Sequence, residues 1–212
     1  MRSPFYRNAH IFLIGGAADQ EPYYFVGPLR NISIAERKLK RKIQACLAHH
    51  EQIQLHTLGY NHIFHLRDIE LNILLKIQPQ DLIYIIGHSL GGWNAAHLSH
   101  QLTDRGYRVR LLATLDPVGE GKLVWLGSNI HKLPQSQPNA DFWINIRAET
   151  QATYDLSDIV ARLGQQWHLT NEPDLNQQLN IHHANVQRML STKLHTGKSI
   201  LDYLIESLQQ LL

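Results

Sequence analysis

Apolar positions along the chain recur in two alternating rhythms. Short apolar-rich runs at 11–14, 53–58, 82–86, 109–115 and 142–146 have the length and composition of strands. Between them the spacing becomes helical. Ile34, Leu39, Ile43 and Leu47 predict a helix over 34–48, and Leu66, Ile69, Ile73 and Leu74 one over 66–77. A third helix is expected from 90 to 104, a fourth over 156–167, and an amphipathic one through Ile200, Leu201, Leu204, Ile205, Leu208 and Leu211. Strands separated by helices predict an α/β fold. The expected form is a mostly parallel central sheet of about five or six strands, helices on both faces, in a single domain over 1–212. The stretches 118–141 and 168–195 follow neither rhythm and are expected to be long functional loops.

The strand at 82–86 runs directly into Gly87-His88-Ser89-Leu90-Gly91, followed by Gly92 and the helical stretch through Trp93, Ala96 and Leu102. A serine hydroxyl is a useful nucleophile only when held proud of the surface, beside a base and beside donors for an oxyanion. A sharp strand-to-helix turn does this, with glycines flanking the serine so that strand and helix can approach. Ser89 is therefore the candidate nucleophile.

Such a serine needs a base, and the base an orienting acid. The next strand ends Leu115-Asp116-Pro117, which puts Asp116 at the carboxyl edge of the sheet, where ligands bind in open α/β folds. Asp116 is the candidate acid; Glu149, Asp155 and Asp158, after the following strand, are its rivals. The base is expected last in chain order. His183, in Ile181-His182-His183-Ala184-Asn185-Val186 ahead of a helical run, is preferred to His182, with His195 third and His168 also in that region. Spacing alone does not separate the adjacent pair. Oxyanion donors are expected at Leu90 N–H and in the loop after the first strand, at Gly16 or Ala17. Trp125, within Lys122-Leu-Val-Trp-Leu126, and Tyr24, within Tyr23-Tyr24-Phe25, are candidate substrate-binding residues as walls of a pocket.

Composition changes this picture little. Of 212 residues 18% are charged and the formal net charge is +2, which gives no reason to propose nucleic acid as a partner. The basic run Arg37-Lys38-Leu39-Lys40-Arg41-Lys42 reads as a solvated helix face, with anionic lipid headgroups as the other use for it. Cys46 is alone, so no internal disulfide is possible. Histidine pairs such as His97/His100 lack the cysteine or glutamate partners of a zinc motif, and neither metal nor cofactor is expected. No apolar stretch approaches the ~20 residues of a membrane span, and no secretory signal is visible at the N-terminus.

The elbow Gly87-His88-Ser89-Leu90-Gly91-Gly92, the Ile14-Gly15-Gly16-Ala17 turn, Leu115-Asp116-Pro117-Val118 and His182-His183 together resemble the α/β-hydrolases of the lipase and esterase type. Leu-Asp-Pro, 27 positions after the serine, is similar to the pancreatic-type lipases, where the acid follows the strand after the nucleophile. The set also resembles small bacterial lipase-like proteins, some of them phospholipase effectors delivered between bacteria. The resemblance implies an α/β-hydrolase fold and cleavage of a carboxylic ester or lipid through an acyl-enzyme. It also implies transient contact with a membrane surface and, for an effector, an inhibitory immunity partner. The expected location is cytoplasmic, or reached by a secretion route independent of a signal peptide. Thioesterase or amidase chemistry uses the same constellation. A non-catalytic interaction domain on the same scaffold is the alternative of a different class.

Overall fold

The computed structural model describes residues 8–17, 19, 31–48, 50–132, 134, 137–169 and 173–211, with the side chain of Leu211 excepted. Among these, the strands β1 (Ala9–Gly15), β2 (Ile53–Gly59), β3 (Leu82–His88), β4 (Arg108–Leu115), β5 (Trp143–Ala148) and β6 (Leu175–Leu179) form one sheet in the order β2-β1-β3-β4-β5-β6. Every neighbouring pair is parallel; Leu13 lies opposite Ile86, and Gly87 opposite Thr114. The helices are α1 (Asn31–Cys46), α2 (Leu66–Asn72), α3 (Leu90–Asp104), α4 (Lys122–Gly127), α5 (Leu156–Leu163), α6 (Val186–Ser191) and α7 (Ile200–Leu211).

Parallel strands need crossovers, and the crossovers here cover both sheet faces. Leu13 of β1 and Tyr84 and Ile86 of β3 pack with Ile32 and Leu39 of α1 and with α6 and α7. Phe12, Ile14, Ile83 and Ile85, the alternate residues of the same strands, pack on the other face with Ile69 of α2 and Trp93 of α3. All seven residues of β1 and of β3 are buried, which is why 11–14 and 82–86 read as unbroken apolar runs. The winding reverses between β1 and β3: α1 leaves β1 toward one face, and α3 leaves β3 toward the other. The two connections separate at their carboxyl ends, and a crevice opens there.

Several boundaries differ from expectation: the first helix spans Asn31–Cys46 rather than 34–48, and 118–141, expected to be a loop throughout, contains α4. The 66–77 helix ends at Asn72 and a single 3-10 turn, Leu74–Lys76, follows. The helix begun at Leu156 stops at Leu163, where Gly164 is followed by Gln165 at φ 57°. The stretch 168–195 contains β6, whose sequence Leu-Asn-Gln-Gln-Leu carries neither β-branched nor aromatic residues; it forms the sheet edge on β5. Among the described residues no helix is long and apolar enough to cross a membrane.

Candidate active site

Ser89 stands between β3 and α3 with φ 56° and ψ −125°, a conformation that L residues rarely adopt. Its surroundings hold it there. Its N–H donates to Leu115 O at 3.0 Å, and its carbonyl accepts from Gly92, Trp93 and Val118. A Cβ at Gly87 would fall 2.5 Å from Gly91 O and 2.6 Å from the Ala95 Cβ, so the close approach of strand and helix requires glycine.

Asp116 follows β4, again at positive φ (45°), and is 1% exposed. Its Oδ2 lies 2.6 Å from His183 Nδ1. Oδ1 accepts from Ala148 N–H at 2.9 Å and Gln166 Nε2 at 2.6 Å, so both oxygens are fixed. His183 is buried in the turn between β6 and α6. Ser89, Leu90 and His183 line one cavity. Among the described residues the serine hydroxyl has no hydrogen bond to the imidazole, whose Nδ1 is held by Asp116.

The rival residues have other partners. Glu149 pairs with Arg162 at 2.6 Å, and Asp155 caps the N-terminus of α5. Asp158 accepts the backbone N–H of His183 through Oδ1 at 2.8 Å, and its Oδ2 meets His182 Nδ1 at 2.6 Å. Burial disfavours its charge, but these hydrogen bonds outweigh that and hold its carboxyl below the usual range. His182 thus points to Asp158, away from Asp116. His195 bonds Gln177, and the backbone of His168 bonds Glu120. Asp155, Asp158 and His182 bring three ligand-type atoms within 4.8 Å of one another, an arrangement their mutual hydrogen bonds and the α5 cap already account for.

The loop after β1 closes the other side. A Cβ on Gly16 would lie 2.6 Å from the Ser89 Cβ and 3.0 Å from its Oγ, so glycine there leaves the hydroxyl open. The N–H of Gly16 is engaged, donating to Asp19 Oδ2 at 2.9 Å. Ala17 lines the cavity, and Leu90 opens α3, where N–H groups have no intrahelical partner. His88, the residue before the serine, is buried; its Nδ1 lies 2.5 Å from Asp19 Oδ2 and its Nε2 2.9 Å from the carbonyl of His183. Burial works against a charge on His88, but the Asp19 carboxylate, the His183 carbonyl and the charge of Asp116 outweigh it and raise its pKa. Burial likewise works against the Asp19 charge, and His88, Gly16 N–H and Asn31 Nδ2 lower its pKa regardless. Gln166, Asp19 and His88 were not legible as site residues in the sequence, and Asp158, a rival for the acid there, instead holds the His183 backbone and His182.

The cavity has a volume of about 650 Å³ and a largely apolar wall that includes Val118, Val124, Leu156 and Val160. Its rim residues Leu123 and Leu163 are 75% and 68% exposed. Trp125 is half-buried, and its indole N–H donates to Gly119 O at 2.7 Å; its helix contributes Leu123 and Val124 to the cavity. Tyr24, with Tyr23 and Phe25, lies outside the described residues.

Compared with protein-family models and with curated proteins, the chain matches none.

Proposed function

We propose that the protein is a serine hydrolase of the α/β-hydrolase type that cleaves carboxylic esters with extended apolar acyl groups, a lipase or phospholipase. The observation that carries this reading is the Asp116–His183 hydrogen bond beside a serine held at a strained elbow, all opening on one apolar cavity.

The steps follow from the groups present. His183 Nε2 takes the Ser89 proton as Oγ attacks the ester carbonyl carbon, and Asp116 at Nδ1 orients the ring and stabilises the imidazolium. The carbonyl oxygen becomes an oxyanion between the N–H groups of Leu90 and Ala17. Collapse breaks the bond to the leaving alcohol, which takes the proton from His183 and leaves an acyl-serine. Water, deprotonated by the same imidazole, then releases the acid and restores Ser89.

Support for a lipid substrate comes from the cavity and its surroundings. Leu123 and Leu163 line the cavity and are exposed, and Leu126 and Ile159, exposed on the same helices α4 and α5, extend a large apolar surface suited to contact with a membrane or micelle. The test is a series of p-nitrophenyl esters of increasing acyl length together with phospholipid vesicles. Hydrolysis that rises with acyl length and extends to the vesicles is expected. Activity on acetate alone would reduce the reading to a short-chain esterase, and hydrolysis of none would contradict it.

A further inference from the structure

The buried pair His88 and Asp19 has no part in the steps above, yet its valences can be worked out. A carbonyl oxygen only accepts, so His88 Nε2, facing His183 O, carries a proton. Asp19 receives Gly16 N–H and Asn31 Nδ2–H besides its contact with His88 Nδ1. Two donors already on the carboxylate favour its ionised form, which leaves Nδ1 as a third donor and the ring as imidazolium. Every polar atom of the pair is then used. The charged or titratable groups facing the ring are Asp19 from the loop after β1, Asp116 from the end of β4 and His183 from the turn before α6.

This pair connects the three segments that hold the reacting groups. Through its own backbone His88 adjoins Ser89. Through Asp19 it fixes the turn that carries Gly16 and Ala17, and through Nε2 it holds the backbone of His183. A buried ion pair is often no more stabilising than apolar residues of the same volume, whereas its hydrogen bonds impose direction. We propose that Asp19 and His88 are positioning residues that set the oxyanion turn and the His183 imidazole at fixed places around the Ser89 hydroxyl. This rests on the serine-hydrolase reading.

The experiment compares the full chain with D19N, H88Q and the double variant D19N/H88Q. It follows kinetics on a p-nitrophenyl ester, the rate of fluorophosphonate labelling, thermal unfolding, and ¹⁵N-histidine NMR spectra. In the wild type both ring nitrogens of His88 are expected to be protonated at neutral pH, and D19N loses that signature. Each variant should lower kcat by ~10²-fold through misplacement of the reacting groups, with KM within about threefold. The double variant should be no worse than the singles, since all break one network. It leaves no charge unpaired, so it carries the comparison if a single variant loses its fold. Wild-type kcat in the folded double variant would overturn the inference alone. A wild type inert toward both ester and fluorophosphonate would overturn the hydrolase reading and this inference with it.

Discussion

The Asp116 carboxylate meets His183 Nδ1 at 2.6 Å although 67 positions separate the two residues. The contact depends on the sheet order: β5 and β6 lie in sequence beside β4, so the turn after β6 returns over the end of β4. Asp116 turns out of the strand at positive φ, and Ala148 and Gln166 hold its second oxygen. The carboxylate is thus held at both oxygens, with Oδ2 on the imidazole.

Asp116→Asn should leave the fold intact and lower kcat by ~10⁴-fold, because the amide presents a donor where the ring needs an acceptor and the wrong tautomer results. Gln166→Ala removes one of the two donors on Asp116 Oδ1, leaving Ala148 N–H, and should cost ~10-fold. Steady-state kinetics with unfolding curves in parallel check both. An N variant with near wild-type kcat would remove Asp116 from the mechanism.

The adjacent histidines separate cleanly. His183→Ala removes the only one of the two rings bonded to Asp116 and should be almost inactive. His182→Ala loses a half-exposed partner of Asp158 and should stay within about tenfold of wild type. The reverse result would move the base by one residue.

Gly16→Ala should fold and fail. The added methyl would lie 2.6 Å from the Ser89 Cβ, and the shift that relieves it displaces the oxyanion turn. A loss of ~10²-fold in kcat is expected, with fluorophosphonate labelling slowed in parallel. Unchanged labelling would show that the turn yields without touching the serine.

What was legible in the sequence follows from what is local. β1, β3 and β4 announce themselves because burial on both faces leaves the central residues of each almost no polar position. The elbow is legible because its requirements are met within five consecutive residues. Asp116 and His183 were reachable through chain order and position at strand ends. β6 was not, since an edge strand of asparagine and glutamine carries no apolar alternation. Nor was the His88 network, whose partners Asp19 and His183 stand 69 and 95 positions away. Trp125 illustrates the opposite difficulty: an aromatic residue near a site reads as a wall, yet a half-buried indole N–H also needs an acceptor, and finds Gly119 O.

Acid should weaken the fold through the histidines near the other end of the sheet. His56 on β2 stacks on Phe12 at 4.7 Å and on His10 at 5.3 Å. Burial, with the charges of His10 and Lys76, lowers its pKa from 6.5 to about 4. The unfolded chain therefore binds more protons than the native one between those values, and stability contributed by neutral His56 is complete above pH 6.5 and lost as pH falls toward 4. His56→Phe should flatten the fall in unfolding free energy over that window. An unchanged slope would assign it to other groups.

The central claim, that Ser89 is a nucleophile activated by His183, is tested most directly by covalent labelling. The intact protein is treated with a fluorophosphonate, and the adduct is mapped by peptide mass spectrometry in the wild type, Ser89→Ala and His183→Ala. The account predicts one adduct at Ser89, absent in Ser89→Ala and formed far more slowly in His183→Ala. No adduct on the folded wild type, or an adduct on another serine that persists in Ser89→Ala, would contradict it.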